Sequence, residues 1–135
     1  MRYDGFWKEG MINGRGRMVH ANGEVYTGEW KQGKTHGYGI QKNENGSQYE
    51  GNWLEDKHHG QGTETWPDGH SYTGAYSYGM KTGKGKLCWA DSSSYEGGFK
   101  DNLMHGEGLY TWSDGRQFQG EYVNNVMEGY GEMTW

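Results

Sequence analysis

The chain has 135 residues and a formal net charge of −5, which makes it one domain or a piece of one and disfavours nucleic acid or an anionic membrane as a whole-body partner. Leu, Ile, Val and Phe together number 13, a level that usually marks disorder, yet 7 Trp and 11 Tyr exclude a disordered chain. Each buried ring removes roughly 150–250 Å² from water, so aromatics can take the place of an aliphatic core.

The first segment, "YDGFW" from Tyr3, puts aromatic, glycine and aromatic at alternate positions. That is the period of a β-strand with rings and glycine on one face. "KEGM" at 8–11 follows as a two-residue hairpin turn, where glycine suits the positive φ of a type I′ geometry. The return strand carries "GRG" at 14–16, and "HANGEVY" at 20–26 turns the chain again; Asn-Gly is a turn signal with a steric cause. The whole unit then recurs. Tyr26, Tyr49, Tyr72, Tyr95 and Phe118 each open a repeat 23 residues after the last, without insertion or deletion. Glycine pairs at 37–39, 60–62, 83–85, 106–108 and 129–131 keep phase, as do the turns "KQGK" at 31–34, "SYGM" at 77–80 and "KDNL" at 100–103. Four residues past the second glycine stands Trp66, Trp89, Trp112 or Trp135, where the first two repeats have His20 and Asn43. "WPDGHSY" at 66–72 and "WSDGRQF" at 112–118 continue the inter-repeat turn, but Ser92 replaces its glycine in the fourth repeat, which predicts a different turn there.

The expected fold is all-β: twelve strands in an elongated single-layer antiparallel meander of hairpins, one array over 1–135 forming a twisted ribbon on the order of 55 Å long. With Glu9-Gly10 at a tip, Trp7 falls opposite Ile12, Gly5 opposite Gly14 and Tyr3 opposite Gly16. Glycine lacks a Cβ, so a ring can lie flat over the bare backbone and its burial offsets the entropy that glycine costs in a strand. The sequence starts two residues before a repeat and stops on a repeat's Trp. Open ends of this kind read as part of a longer protein or assembly, with end-to-end or edge association with other subunits.

These residues resemble the MORN (membrane occupation and recognition nexus) repeat, Y-x-G-x-W-x-x-G-x-x-H-G-x-G followed by an aromatic and D-G. "YTGEWKQGKTHGYG" at 26–39 and "YEGNWLEDKHHGQGTETWPDG" at 49–69 lie close to that pattern, while Asn13, Thr82 and Glu128 replace its histidine. The resemblance covers all six repeats, Tyr3 to Trp135. It implies an intracellular, non-catalytic scaffold that binds another protein, itself or, in some members, membrane lipid. Cytoskeletal and ciliary (axonemal) assemblies are among the settings it implies, and no catalytic residue carries over.

Candidate sites follow from the face pattern. Tyr26, Trp30, Tyr49, Trp53, Tyr72, Tyr76, Tyr95 and Phe99 form one aromatic strip, whose exposed edges would line a groove for a helix or extended segment of a protein partner unless the rings close over one another. Arg15 and Arg17, with Lys81, Lys84 and Lys86, make a candidate lipid or anion patch, at about 1 kcal/mol per charge against a headgroup. That patch supports an alternative reading, a membrane-surface adaptor for phospholipid; a further alternative is the targeting arm of a larger signalling enzyme. His36, His59 and His105 recur one per hairpin, roughly 10 Å apart, too far to share a metal ion with its ~2 Å bonds. Packing beside the rings or bonding a turn is their expected role. "GMKTGKG" at 79–85 lacks the spacing and helix of a phosphate loop, and no nucleophile and base come together. Enzyme activity, cofactor and metal are therefore not expected. The lone Cys88 fits a reducing compartment, and "MRYDGFW" at the start has no apolar signal stretch. The expected location is cytoplasmic.

Overall fold

The computed structural model describes all of Met1–Trp135 and contains one antiparallel sheet of twelve strands in sequence order. The strands are β1 (Arg2–Lys8), β2 (Met11–Val19), β3 (Val25–Lys31), β4 (Lys34–Lys42), β5 (Gln48–Leu54), β6 (Lys57–Thr65), β7 (Ser71–Ser77), β8 (Met80–Cys88), β9 (Ser94–Lys100), β10 (Leu103–Thr111), β11 (Gln117–Val123) and β12 (Val126–Thr134). The predicted meander of hairpins is thus the observed one.

Each hairpin joins a strand of 7 residues to one of 9, and that inequality corrects the expected register. Trp7 does face Ile12, but Gly5 faces Gly16 rather than Gly14, and Tyr3 faces Met18 rather than Gly16. A bulge between Gly5 and Trp7 takes up the two extra residues. Gly14 sits in it at φ 85°, and the first glycine of every later pair also has positive φ, from 62° at Gly83 to 86° at Gly106. A side chain would be strained there, so the first glycine serves the bulge and only the second serves the ring. The shift recurs in all the other hairpins.

The tips are type I′ as predicted, with both central residues at positive φ: Glu9 and Gly10 at 50° and 77°, Asp101 and Asn102 at 51° and 71°. The inter-repeat turns also repeat. At Trp66–His70, the Trp66 N–H donates to the His70 carbonyl at 2.9 Å, the Gly69 N–H to the Trp66 carbonyl at 3.1 Å, and Asp68 accepts from the His70 N–H at 3.0 Å. Ser92 does not change this turn, contrary to expectation. It takes φ 75°, its N–H donates to the Trp89 carbonyl at 3.1 Å, and Asp91 accepts from Ser93 at 2.9 Å. The Asx bond and the flanking ladder hold serine in a conformation that glycine adopts without strain.

Burial follows the ring-over-glycine prediction. A Cβ added at Gly85 would stand 2.6 Å from Tyr72 Cε2, and one at Gly74 only 2.6 Å from the Gly85 backbone. The tyrosine hydroxyl explains why this ring is Tyr in five repeats of six. Tyr3 donates to the Phe6 carbonyl at 3.0 Å, Tyr26 to Glu29 at 2.9 Å, Tyr49 to Asn52 at 2.7 Å, Tyr72 to Ala75 at 3.0 Å and Tyr95 to Gly98 at 2.9 Å. The accepting residue is the one that the bulge leaves out of its own hairpin's register, so the hydroxyl supplies a partner that the ladder cannot.

Candidate functional site

The second ring of each repeat crosses onto the first ring of the preceding one. Trp30 meets Tyr3, Trp53 meets Tyr26, Tyr76 meets Tyr49, Phe99 meets Tyr72 and Tyr122 meets Tyr95, all edge-to-face at 5.0–5.8 Å. Such pairs contribute about 0.5–1.5 kcal/mol beyond the area they bury. Trp30 and Trp53 add indole N–H bonds to the carbonyls of Gly16 and Gly39, at 3.3 and 3.1 Å. The eight residues of the predicted strip are therefore brought together, but they are only 0–7% exposed. The rings close over one another and leave almost no edge for a partner.

Above them lies a second layer, buried at Met18 and half-buried or exposed beyond it. Across the rings from the tips stand Met18, Gln41, Glu64, Leu87, Tyr110 and Met133, each opposite the first ring of a neighbouring strand. The layer changes character along the array. In the middle it is polar: His58 stacks on Tyr49 at 3.6 Å, Glu64 accepts from the Tyr76 hydroxyl at 2.5 Å, and Lys81 lies 5.2 Å from the Tyr72 ring and 5.7 Å from Trp66. Burial lowers the His58 pKa, outweighing the attraction of Glu64 3.9 Å away, and keeps the imidazole neutral near pH 7. Burial and the Glu64 carboxylate both raise the Tyr76 pKa.

Toward the C-terminus the layer becomes apolar. Trp89 meets Tyr110 at 5.3 Å and Tyr110 meets Trp112 at 4.8 Å, all three half-buried, while Leu87 and Met104 pack against the buried rings. Arg116 covers Trp112 at 5.3 Å. Sequence reasoning did not single out Tyr110. The available signal was its place two residues past the second glycine, where composition varies from repeat to repeat.

The basic residues lie in two separate groups, and the second of these is divided between faces. Lys81 points onto the rings, whereas Lys84 and Lys86 flank a hollow on the opposite face beside Glu96 and Glu107. Arg15 and Arg17 are on β2, six strands from β8, or about 29 Å at the usual strand spacing. Alternation along β8, shifted by its bulge, separates what sequence adjacency joins.

The tips carry a second system that the sequence reading missed. Each tip after the first bonds the hairpin before it, in one of two ways. Where the tip ends in Asp or Asn, that residue bonds twice: the Asn102 N–H donates to the Lys81 carbonyl at 3.1 Å and its side chain accepts from the Lys81 N–H at 2.8 Å. Asp56 with Thr35, and Asn125 with Met104, do the same. Where the tip ends in glycine, the preceding hairpin supplies the acceptor: Asn13 accepts from the Gln32 N–H at 3.2 Å, and His59 Nδ1 from the Tyr78 N–H at 3.1 Å. His59 thus has the turn-bonding role expected of it. His105 precedes an Asn tip, and its Nδ1 is buried without a partner.

The family model of the MORN repeat matches residues 3–25, 26–48, 49–71, 72–94, 95–115 and 118–135. A comparison with curated proteins finds no match. Among solved structures, the SAS-4 (dCPAP) TCP domain of Drosophila melanogaster, determined in complex with a proline-rich motif of Ana2 (dSTIL), is 14% identical. That alignment covers 88% of this chain and 70% of the other, with a TM-score of 0.46, too low to inform the reading of either fold or site. Six in-phase family matches from Tyr3 to Trp135, with a bulge and a ring over glycine in each, make this chain a member of the MORN repeat family.

Proposed function

We propose that the array is a non-catalytic scaffold that binds a protein partner, as a helix or extended segment, along its aromatic–glycine face, within a cytoskeletal or ciliary assembly in the cytoplasm. The setting rests on the family resemblance alone. The contact rests on the half-exposed ledge of Trp89, Tyr110 and Trp112, continuous with the buried ring strip. Over a frame that hardly varies, the covering side chains change along the array, from Gln41 and Glu64 to Leu87 and Tyr110, which is what selecting one partner requires. A matching segment is apolar against the ledge and polar where it crosses His58, Glu64 and Lys81. Eight enclosed rings hold the frame rigid beneath that contact, which lowers the ordering cost of binding.

The test is crosslinking mass spectrometry on the native complex, with a photoreactive group at Tyr110 or at Gln61 on the opposite face. Partner crosslinks from position 110 and none from position 61 are expected; the reverse pattern rejects the ring-face contact. Splitting the basic residues between two faces and two distant strands weakens the phospholipid alternative. Flotation with phosphoinositide vesicles is expected to show no lipid-dependent shift. The targeting-arm alternative draws on no feature of the fold and is decided by the sequence flanking these repeats.

A further inference from the structure

One buried hydroxyl beside the ledge has no partner. Tyr122 of β11 is 2% exposed, and its hydroxyl oxygen meets no hydrogen-bonding group of the chain. A buried donor left in this way is costly and uncommon.

The other repeats show what belongs there. Tyr122 is the second ring of its repeat. At the same position Trp30 and Trp53 donate to the Gly16 and Gly39 carbonyls, at 3.3 and 3.1 Å, and Phe99 has nothing to donate. Tyr76, the one other interior tyrosine there, donates to Glu64 at 2.5 Å. Glu64 stands 12 residues before its ring, on the preceding hairpin. Leu87 holds that place before Phe99 and packs against the buried rings. Ring and roof therefore match in kind, a carboxylate for a hydroxyl and an aliphatic chain for Phe. Before Tyr122 the place belongs to Tyr110 of β10, a second phenol. Burial raises the Tyr122 pKa and the neighbouring Tyr110 adds to the rise, so the hydroxyl keeps its proton near pH 7 and remains a donor.

Given the ring-face contact on which this rests, we propose that the protein partner supplies the acceptor: an Asp or Glu side chain, flanked by apolar residues, that displaces Tyr110 and takes the Tyr122 hydroxyl as Glu64 takes that of Tyr76. The apolar flanks lie on Trp89 and Trp112. Tyr110 is half-buried and leans on those two rings at 35° and 54° rather than edge-on. A side chain with one open face changes rotamer readily. A carboxylate at this depth keeps some contact with water, since the Glu64 side chain is 21% exposed. Positive charge is also at hand. Lys81 lies over the rings of the same face and has no carboxylate within ion-pair distance, and Arg116 covers Trp112 while paired with Asp114. A charged acceptor makes the stronger bond, and an unmet donor selects against segments with an apolar or basic residue at that place.

The test has two arms. In the free chain, Tyr122→Phe removes a hydroxyl that bonds nothing, so the denaturant midpoint is expected to stay or rise, whereas Tyr76→Phe, which strips Glu64 of its donor, lowers it. A lowered midpoint for Tyr122→Phe means that the hydroxyl is already bonded in the free chain and overturns the proposal. In the second arm the full chain is panned against a library of random 12-residue peptides, and binders are sorted by photo-crosslinking from position 110 or from position 61. Binders at position 110 are expected to share an Asp or Glu beside apolar residues. They should lose at least about tenfold in affinity when that residue becomes Asn or Gln, and as much against Tyr122→Phe. Binders at position 110 that keep their affinity through both changes overturn the carboxylate and leave the ring-face contact standing. A library that yields no binder at position 110 overturns both.

Discussion

Trp7 and Trp53 occupy the same position of the same motif, in strands of equal length, yet Trp7 is 62% exposed and Trp53 6%. Both have their own repeat's tyrosine beside them, at 5.5 and 5.1 Å. Only Trp53 has a preceding hairpin, which supplies the Tyr26 ring at 5.2 Å and the Gly39 carbonyl at 3.1 Å. A repeat is therefore not a complete unit, because its core is finished by its predecessor. Stability should be highest in the centre of the array and lowest at its ends.

The largest contrast is expected from truncating the two tryptophans. Trp53→Ala should cost about 3–5 kcal/mol and Trp7→Ala no more than about 0.5 kcal/mol, measured by denaturant unfolding in dilute solution. Next comes the second glycine of a pair. Gly62→Ala places a methyl 2.5 Å from Tyr49 Cε2, under a ring held on both sides, and should cost about 1–3 kcal/mol. Gly131→Ala meets Phe118 in the same way, but that ring has no follower and can swing aside, so its cost should be the smaller. Tyr72→Phe leaves the Ala75 carbonyl without its 3.0 Å donor and should cost about 1 kcal/mol. The last repeat already carries Phe at that position.

The smallest effect is a pH slope confined to the centre. Folding lowers the His58 pKa through burial, despite Glu64, with Lys81 adding to the lowering. The unfolded chain then binds the proton first, so stability is level above the ordinary value of about 6.5 and declines as pH falls from there toward the folded value. His58→Gln should flatten that part of the profile. At the alkaline end the slope has the opposite sign. Burial pushes Tyr72 and Tyr95 up to about 12, so stability should fall as unfolded tyrosine ionises above about 10.

Much of this was legible in the sequence because each repeat tests the same pattern six times. Ring, glycine and ring at period 2 placed the aromatics on one face, and the tip residues announced type I′ turns. The register was not legible. Gly14 and Gly16 look alike in sequence, and nothing local distinguishes a glycine that relieves a bulge from one that makes room for a ring. Ser92 was misread because a glycine position was equated with a glycine requirement, while the neighbouring Asp91 bond holds the turn. The enclosure of Tyr49 and Trp53 was hidden for a different reason: what covers them comes from adjoining repeats rather than from their own. The same distance concealed the tip bonds, which join residues 19 to 21 positions apart.

Exchange of the tryptophan indole N–H protons, followed by NMR in dilute solution, tests most directly whether neighbouring hairpins complete each other's core. Protection of Trp30 and Trp53 by at least about a hundredfold over Trp7 is the predicted result, since only the first two indoles bond a carbonyl of the hairpin before them. Equal exchange at all three would mean that each repeat buries its own rings, and the shared core would be contradicted.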